Sequence, residues 1–344
     1  MLNSSTMRLK GNTEYGSSVA FNAIDVTKFI CALLVVTVHI APFNDDGAII
    51  LKYLNFGVRK YLARIAVPFF FVCSGFFLFR QIENSENRRT VIENYCFRLI
   101  RLLGLWSIVL TENIGFHLWY VGASVVAIGV ASLLLKWNIK YRYMILVAAG
   151  LYILGLLGDS YYGLIEELVQ IQPFKFLDGT YRYFFSNTQN GVFMGFPFFL
   201  CGMLFARGKI RINKVIALIG FLVSEILLFF EVFLLEHFEI AKDYNMFIFL
   251  IPATIFLFAL VSNIQLKDRP VYKKLRVAGV LVYFSHLLVY KMVHYVAAIV
   301  QKTLHLDLSN YLFWITLLCA VGIAFLIEYL SHKKKFKWLN WLYR

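Results

Sequence analysis

The chain has 344 residues, 60% of them apolar and only 16% charged, with a formal net charge of +14. On a soluble chain that excess of basic residues would point to nucleic acid, but here it accompanies far more apolar residues than the roughly 45–50% of globular proteins. The apolar residues fall in long runs separated by short basic segments, the pattern of bilayer-spanning helices, and they lack the alternation of a membrane barrel, which excludes that class.

Residues 1–22 are polar at their start (MLNSSTMRLKGNTEYGSSVA), with no apolar core, so a disordered cytoplasmic lead is expected rather than a cleavable signal peptide. A membrane domain over 23–330 follows, with spans expected at 24–43, 58–79, 98–113, 117–136, 143–158, 191–207, 213–235, 244–262, 277–299 and 309–330. The third (RLIRLLGLWSIVLT) and fifth (YMILVAAGLYILGLLG) are the weakest, being shorter than the ~20 residues that cross a bilayer. The basic segment 331–344 is expected as a cytoplasmic tail. The fold class expected is therefore an all-α integral membrane bundle of about ten transmembrane helices with both termini cytoplasmic.

Charge tests that topology. With the N-terminus inside, the inner segments hold 25 of the 34 Lys and Arg residues. This is the asymmetry of the positive-inside rule, and an error of one helix would scramble it. The deviation is Lys52–Arg64, a basic stretch on the outer side. The long outer connection 159–190 is rich in aromatic residues and is expected to pack over the outer mouth. The five cysteines (Cys31, Cys73, Cys96, Cys201 and Cys319) lie in or beside apolar runs without a CxxC pair, so they read as packing residues, with no disulfide framework or metal site implied.

Ionisable groups inside a membrane are costly and therefore candidates for function. The first span carries Asp25, Lys28 and His39. Lys28, Ala32, Val35 and His39 follow the spacing of one helical face, and Asp25 falls within about 40° of it. His39 is either a general base or proton carrier, or a hydrogen-bonded packing histidine. Arg64 opens the second run, either snorkelling to the interface or facing a cavity as an oxyanion partner. Arg98 and Arg101, one turn apart, are either ordinary inner-side charge or a phosphate site, because guanidinium pairs bidentately with phosphate. His286, Lys291 and His294 in the ninth span and Glu225 and Glu231 in the seventh are further candidates. The sequence has no GxSxG elbow, Walker loop, HExxH or GxGxxG, so familiar soluble hydrolase, ATPase and dehydrogenase chemistry is not indicated.

AIDVTKFICALLVVTVHIAPF, RIAVPFFFVCSGFFLF, RLIR, HLWYVGASVVA and YFSHLLVY, in this order, resemble the acyltransferase-3 family of bacterial multi-pass membrane proteins over roughly 22–330. HLWY, GLYILGLLGDSYYGLI, FLDGT and NGVFMGFPFFLCGML are similar to the membrane domain of the vancomycin-resistance serine racemases. Those proteins continue into a cytosolic racemase domain, and the expectation here is a stand-alone relative. Two departures stand out: Leu287 where related sequences often have proline after the histidine, and Gln189 where they often carry arginine before Asn190-Gly191.

The resemblance implies a bacterial cytoplasmic membrane enzyme that moves an acyl group, usually acetyl, from acetyl-CoA or another acyl-CoA. The acceptor would be a hydroxyl on an envelope glycan or another extracytoplasmic molecule. In that scheme His39 activates the hydroxyl or carries the acyl group, Asp25 and Lys28 line the route, and Arg64 stabilises the oxyanion. Arg98 and Arg101 hold CoA phosphates, while Trp119, Asn190 and His286 contact substrate. No metal and no nucleic acid are implied, and the oligomeric state stays open. The alternative is a small-solute permease, notably for serine, using the same polar stripe.

Overall fold

The computed structural model describes residues 21–43, 48–110, 117–185 and 187–344, so nearly all of the expected lead lies outside the described residues. Thirteen α-helices follow in order among them: α1 (Asn22–His39), α2 (Ile49–Phe56), α3 (Ala66–Glu83), α4 (Arg88–Leu110), α5 (Trp119–Lys136), α6 (Tyr141–Leu157), α7 (Glu166–Val169), α8 (Phe174–Phe185), α9 (Phe196–Ala206), α10 (Lys214–His237), α11 (Leu250–Ser262), α12 (Pro270–Leu304) and α13 (Leu312–Ser331). No strand occurs among the described residues. Six helical stretches are long and apolar enough to cross a membrane, including Ile49–Glu83 and the 35-residue α12, and three shorter apolar helices accompany them. The chain is a multi-pass membrane protein.

Local chemistry sets the helix ends. Asn213 caps α10 by accepting from Ile216 N at 2.9 Å, and Pro270 opens α12, where its missing N–H costs nothing. His305, with φ of 53°, closes α12 in the left-handed region. The second expected span is broken: a π turn (Gly57–Tyr61) and a 3-10 turn (Leu62–Ile65) precede α3. The eighth begins at Leu250 rather than 244. Glu231 of α10 takes the N–H groups of Ile248 (2.6 Å) and Phe249 (2.9 Å), which fixes where that helix starts. At about 1.5 Å per residue α12 is ~52 Å long, well beyond a ~30 Å hydrocarbon core.

Aromatic side chains fill the centre: Phe69, Phe71, Phe196, Phe198, Phe199, Phe247 and Phe258 are fully buried. Helices α3 and α9 approach backbone to backbone. A Cβ added at Gly75 would stand 2.1 Å from the Phe199 carbonyl oxygen, and one at Gly202 would stand 2.0 Å from that of Val72. Where lipid removes most of the hydrophobic drive between helices, small residues that let backbones touch carry the packing.

Gly75→Ala and Gly202→Ala should each lower the thermal unfolding midpoint in detergent, because overpacking costs about 1–3 kcal/mol and rigid backbone is what must move. Gly129→Ala in α5, which meets nothing within 4 Å, should instead raise it slightly through helix propensity, by up to ~1 kcal/mol.

Candidate functional site

Helix α1 carries polar chemistry at both ends. At its start Asp25 is buried and receives a two-pronged ion pair from Arg276 of α12, Nε to Oδ1 at 2.8 Å and Nη2 to Oδ2 at 2.6 Å. Bidentate geometry of this kind is strong and directional. Lys28, one turn on, faces a cavity of about 140 Å³ together with Ser74, Tyr95, Arg98, Tyr120, Arg276 and Tyr283. Three cations thus surround one small chamber, with the Ser74 hydroxyl hydrogen-bonded to that of Tyr120 at 2.9 Å.

At the other end of α1, about 16 Å further along at ~1.5 Å per residue, lies a second cavity of about 320 Å³. His39, Arg64, His117, Trp119, Gln189, Asn245 and Tyr283 line it. Three imidazoles gather there. Ring centroids are 5.3 Å apart for His39–His286, 5.3 Å for His117–His286 and 6.3 Å for His39–His117. Main-chain carbonyls orient two of them. His286 Nδ1 lies 2.8 Å from the Tyr283 carbonyl and 3.1 Å from that of Val282, so this nitrogen carries the hydrogen. His286 Nε2 is then the acceptor nitrogen, buried and without a hydrogen-bond partner. His117 Nε2 lies 3.4 Å from the Phe284 carbonyl, and the Tyr283 hydroxyl donates to the His117 carbonyl at 2.6 Å. The dipeptide Tyr283-Phe284 therefore holds both histidines, and Phe284 itself stacks on Trp106 of α4.

Arg64 is fixed from two sides. Its Nε donates to the Arg59 carbonyl at 2.9 Å and its Nη1 to Asn245 Oδ1 at 2.7 Å. Asn245 is pinned by Asp159, whose Oδ2 accepts from Asn245 Nδ2 at 2.9 Å and whose Oδ1 accepts the N–H groups of Asn245 (2.8 Å) and Met246 (3.1 Å). Arg59 donates through Nε and Nη2 to the Val38 carbonyl, satisfying the end of α1 beside His39. Of the four basic residues in the Lys52–Arg64 stretch, Arg59 and Arg64 turn inward to cap and line.

The structure thus brings His39, Arg64, Trp119 and His286 to one end, and Lys28 and Arg98 to the other. Asp25 does not line the chamber and instead holds Arg276. Arg101 points at the C-terminal segment, donating to the Arg344 carbonyl and lying over Trp341, while Arg98 also donates to the Tyr343 carbonyl at 3.2 Å. Asn190 accepts from Val192 N and Phe193 N and so caps the π turn that opens α9. Lys291 and His294 are exposed, and Glu225 and Glu231 each bind a tyrosine hydroxyl. Sequence reading missed His117, Arg276, Tyr283 and Asn245 as site residues. His117 opens the HLWY segment and Tyr283 the YFSHLLVY segment, the visible signals among them.

Residues 21–111 match the family model described as an acyltransferase domain. The chain carries an acyltransferase-3 domain. Its similarity extends to two proteins of Enterococcus faecalis, both named amino-acid racemase. One is 31% identical over 277 residues, covering 73% of this chain and 37% of the relative. The other is 28% identical over 344 residues, covering 91% and 46%. A serine/alanine racemase of Enterococcus gallinarum is 31% identical over 274 residues, covering 69% and 36%. The chain spans less than half the length of these curated relatives. No solved structure matches it. The acyltransferase domain supports membrane acyl transfer in general, and residues 21–111 run from α1 to just past α4, with Lys28, His39, Arg64 and Arg98 inside them.

Asp159→Asn should destabilise the protein by about 1–3 kcal/mol in detergent melts. The new amide would face the Asn245 amide donor to donor. Flipping Asn245 to relieve that would take its carbonyl oxygen from Arg64, so the connection breaks on one side or the other.

Proposed function

We propose that this protein is an O-acyltransferase of the bacterial cytoplasmic membrane, drawing an acyl group, normally acetyl, from cytosolic acyl-CoA and delivering it to a hydroxyl of an extracytoplasmic acceptor such as an envelope glycan. In this reading ten helices cross the bilayer. They comprise the six long stretches, the three shorter apolar helices, and α4, whose first half is charged and whose second half is apolar. Both termini are cytoplasmic. The concentration of basic residues supports the orientation, and so does the meeting of the 334–344 segment with Arg98 and Trp106 at the Lys28 end of the bundle.

The observation that carries the reading is the pair of unlike cavities at the two ends of α1. The inner one has Lys28, Arg98 and Arg276, suited to phosphates. The outer one has His39, His117 and a fixed arginine on its wall, with Asp243 beside them and His286 behind, suited to deprotonating a hydroxyl and holding an oxyanion. His39 takes the acceptor proton, and the acceptor oxygen bonds to the acyl carbon. Arg64 offsets the charge on the carbonyl oxygen. The carbon–sulfur bond then breaks, and the proton passes to the departing thiolate. Trp119 and Gln189 shape the acceptor side, and His286 backs His39.

A second reading is a permease for serine or a similar solute, favoured by the racemase names of the relatives and by the same two-ended arrangement. The two part at the inner cations. Lys28→Ala combined with Arg98→Ala should weaken CoA binding, read by thermal stabilisation, about 100-fold or more, since hydrogen bonds to charged groups contribute about 1.5–3 kcal/mol each. His39→Ala should keep CoA binding and lose acyl transfer. Uptake of labelled serine by proteoliposomes without any acyl-CoA, unaffected by the double substitution, would overturn the transferase reading.

A further inference from the structure

One residue belongs to both cavities. Tyr283 lines the cationic chamber and the histidine chamber alike, and it is itself only 6% exposed. Its ring is wedged between Phe70 (6.2 Å), Tyr120 (5.9 Å) and Phe284 (5.3 Å), all edge-on. These aromatic neighbours come from α3, α5 and α12, so three helices converge on the ring. Edge-on packing of this kind is specific in geometry and modest in strength, which suits a side chain that has to hold a position and also leave it.

The same residue also governs the histidines. Its hydroxyl donates to the main-chain carbonyl of His117, and its own carbonyl takes the hydrogen on His286 Nδ1. A swing of the ring therefore does two things at once: it joins the chambers and it releases the main chain that carries His117. We propose that Tyr283 is the barrier between the inner and outer chambers and the positioning residue of the histidine cluster, so that passage between the chambers and alignment of His117 exclude each other. The proposal rests on the reading that both chambers belong to one route, and it holds for an acyl-carrying arm or for a small polar solute.

The test uses accessibility, which needs neither substrate. Val280→Cys places a thiol in the cationic chamber, on a peptide separate from the five native cysteines. A small membrane-impermeant thiol reagent is applied to intact cells and, separately, to inverted vesicles, and the modified peptide is read by mass spectrometry. With Tyr283 present, the thiol should be modified from one face only. With Tyr283→Ala it should be modified from both, and Tyr283→Leu, which keeps more of the core filled, serves if the alanine chain does not fold. Tyr283→Phe should keep one-face labelling, because the ring remains. It should also raise the reactivity of the His117 side chain toward diethyl pyrocarbonate about fivefold, the loss expected from one neutral hydrogen bond. Two-face labelling with Tyr283 intact, or one-face labelling in a folded Tyr283→Leu or Tyr283→Ala chain, overturns the barrier. Unchanged His117 reactivity in Tyr283→Phe overturns the positioning role. Loss of CoA binding bears on the acyl-transfer reading alone and leaves these outcomes standing.

Discussion

A polar group set among apolar helices has no water to turn to, and an unsatisfied one costs several kcal/mol. In this protein the answer is repeatedly a main-chain carbonyl. Arg59 takes the carbonyl of Val38, Arg64 takes that of Arg59, His286 takes that of Tyr283, and Tyr283 reaches that of His117. A carbonyl used this way belongs to no mobile side chain, so the donor inherits the rigidity of the backbone. Arg59, Arg64, His286 and Tyr283 are thereby tied to main chain rather than to other side chains.

The helix ends are also where the reading of the sequence and the folded structure part. Long apolar runs and the spacing of Lys28 and His39 on one helix are one-dimensional signals, and both reappear as helices in the structure. The bend around Gly57–Ile65 is not of that kind. It depends on Arg59 and Arg64 finding carbonyls on other segments, which no periodicity reveals. The start of α11 likewise depends on a carboxylate from the helix before it.

The same distinction explains the site. His39 was legible because a histidine within an apolar run is conspicuous. His117 was not, because a histidine at the edge of a run beside Trp119 and Tyr120 resembles any aromatic belt. Its role emerges only when α5 and α12 bring it within 5.3 Å of His286. Arg276 reads as one of many basic residues at an inner helix start, and only the fold reveals that it engages Asp25. Asp25 and Asn190, which the resemblance casts as lining the route and contacting substrate, are engaged by an arginine and by two backbone N–H groups respectively.

The glycine seam between α3 and α9 has a mechanical side. Two backbones in direct contact, each carbonyl seated where a Cβ would be, leave no side-chain layer to deform between them. That pair behaves as a single stiff strut. Helices α1 and α12 form a second, looser seam, where a Cβ added at Gly279 would stand 3.3 Å from the Phe29 Cα. Lys28, His39, Tyr283 and His286 all stand on the two helices of this looser seam, with the strut as a fixed wall beside them.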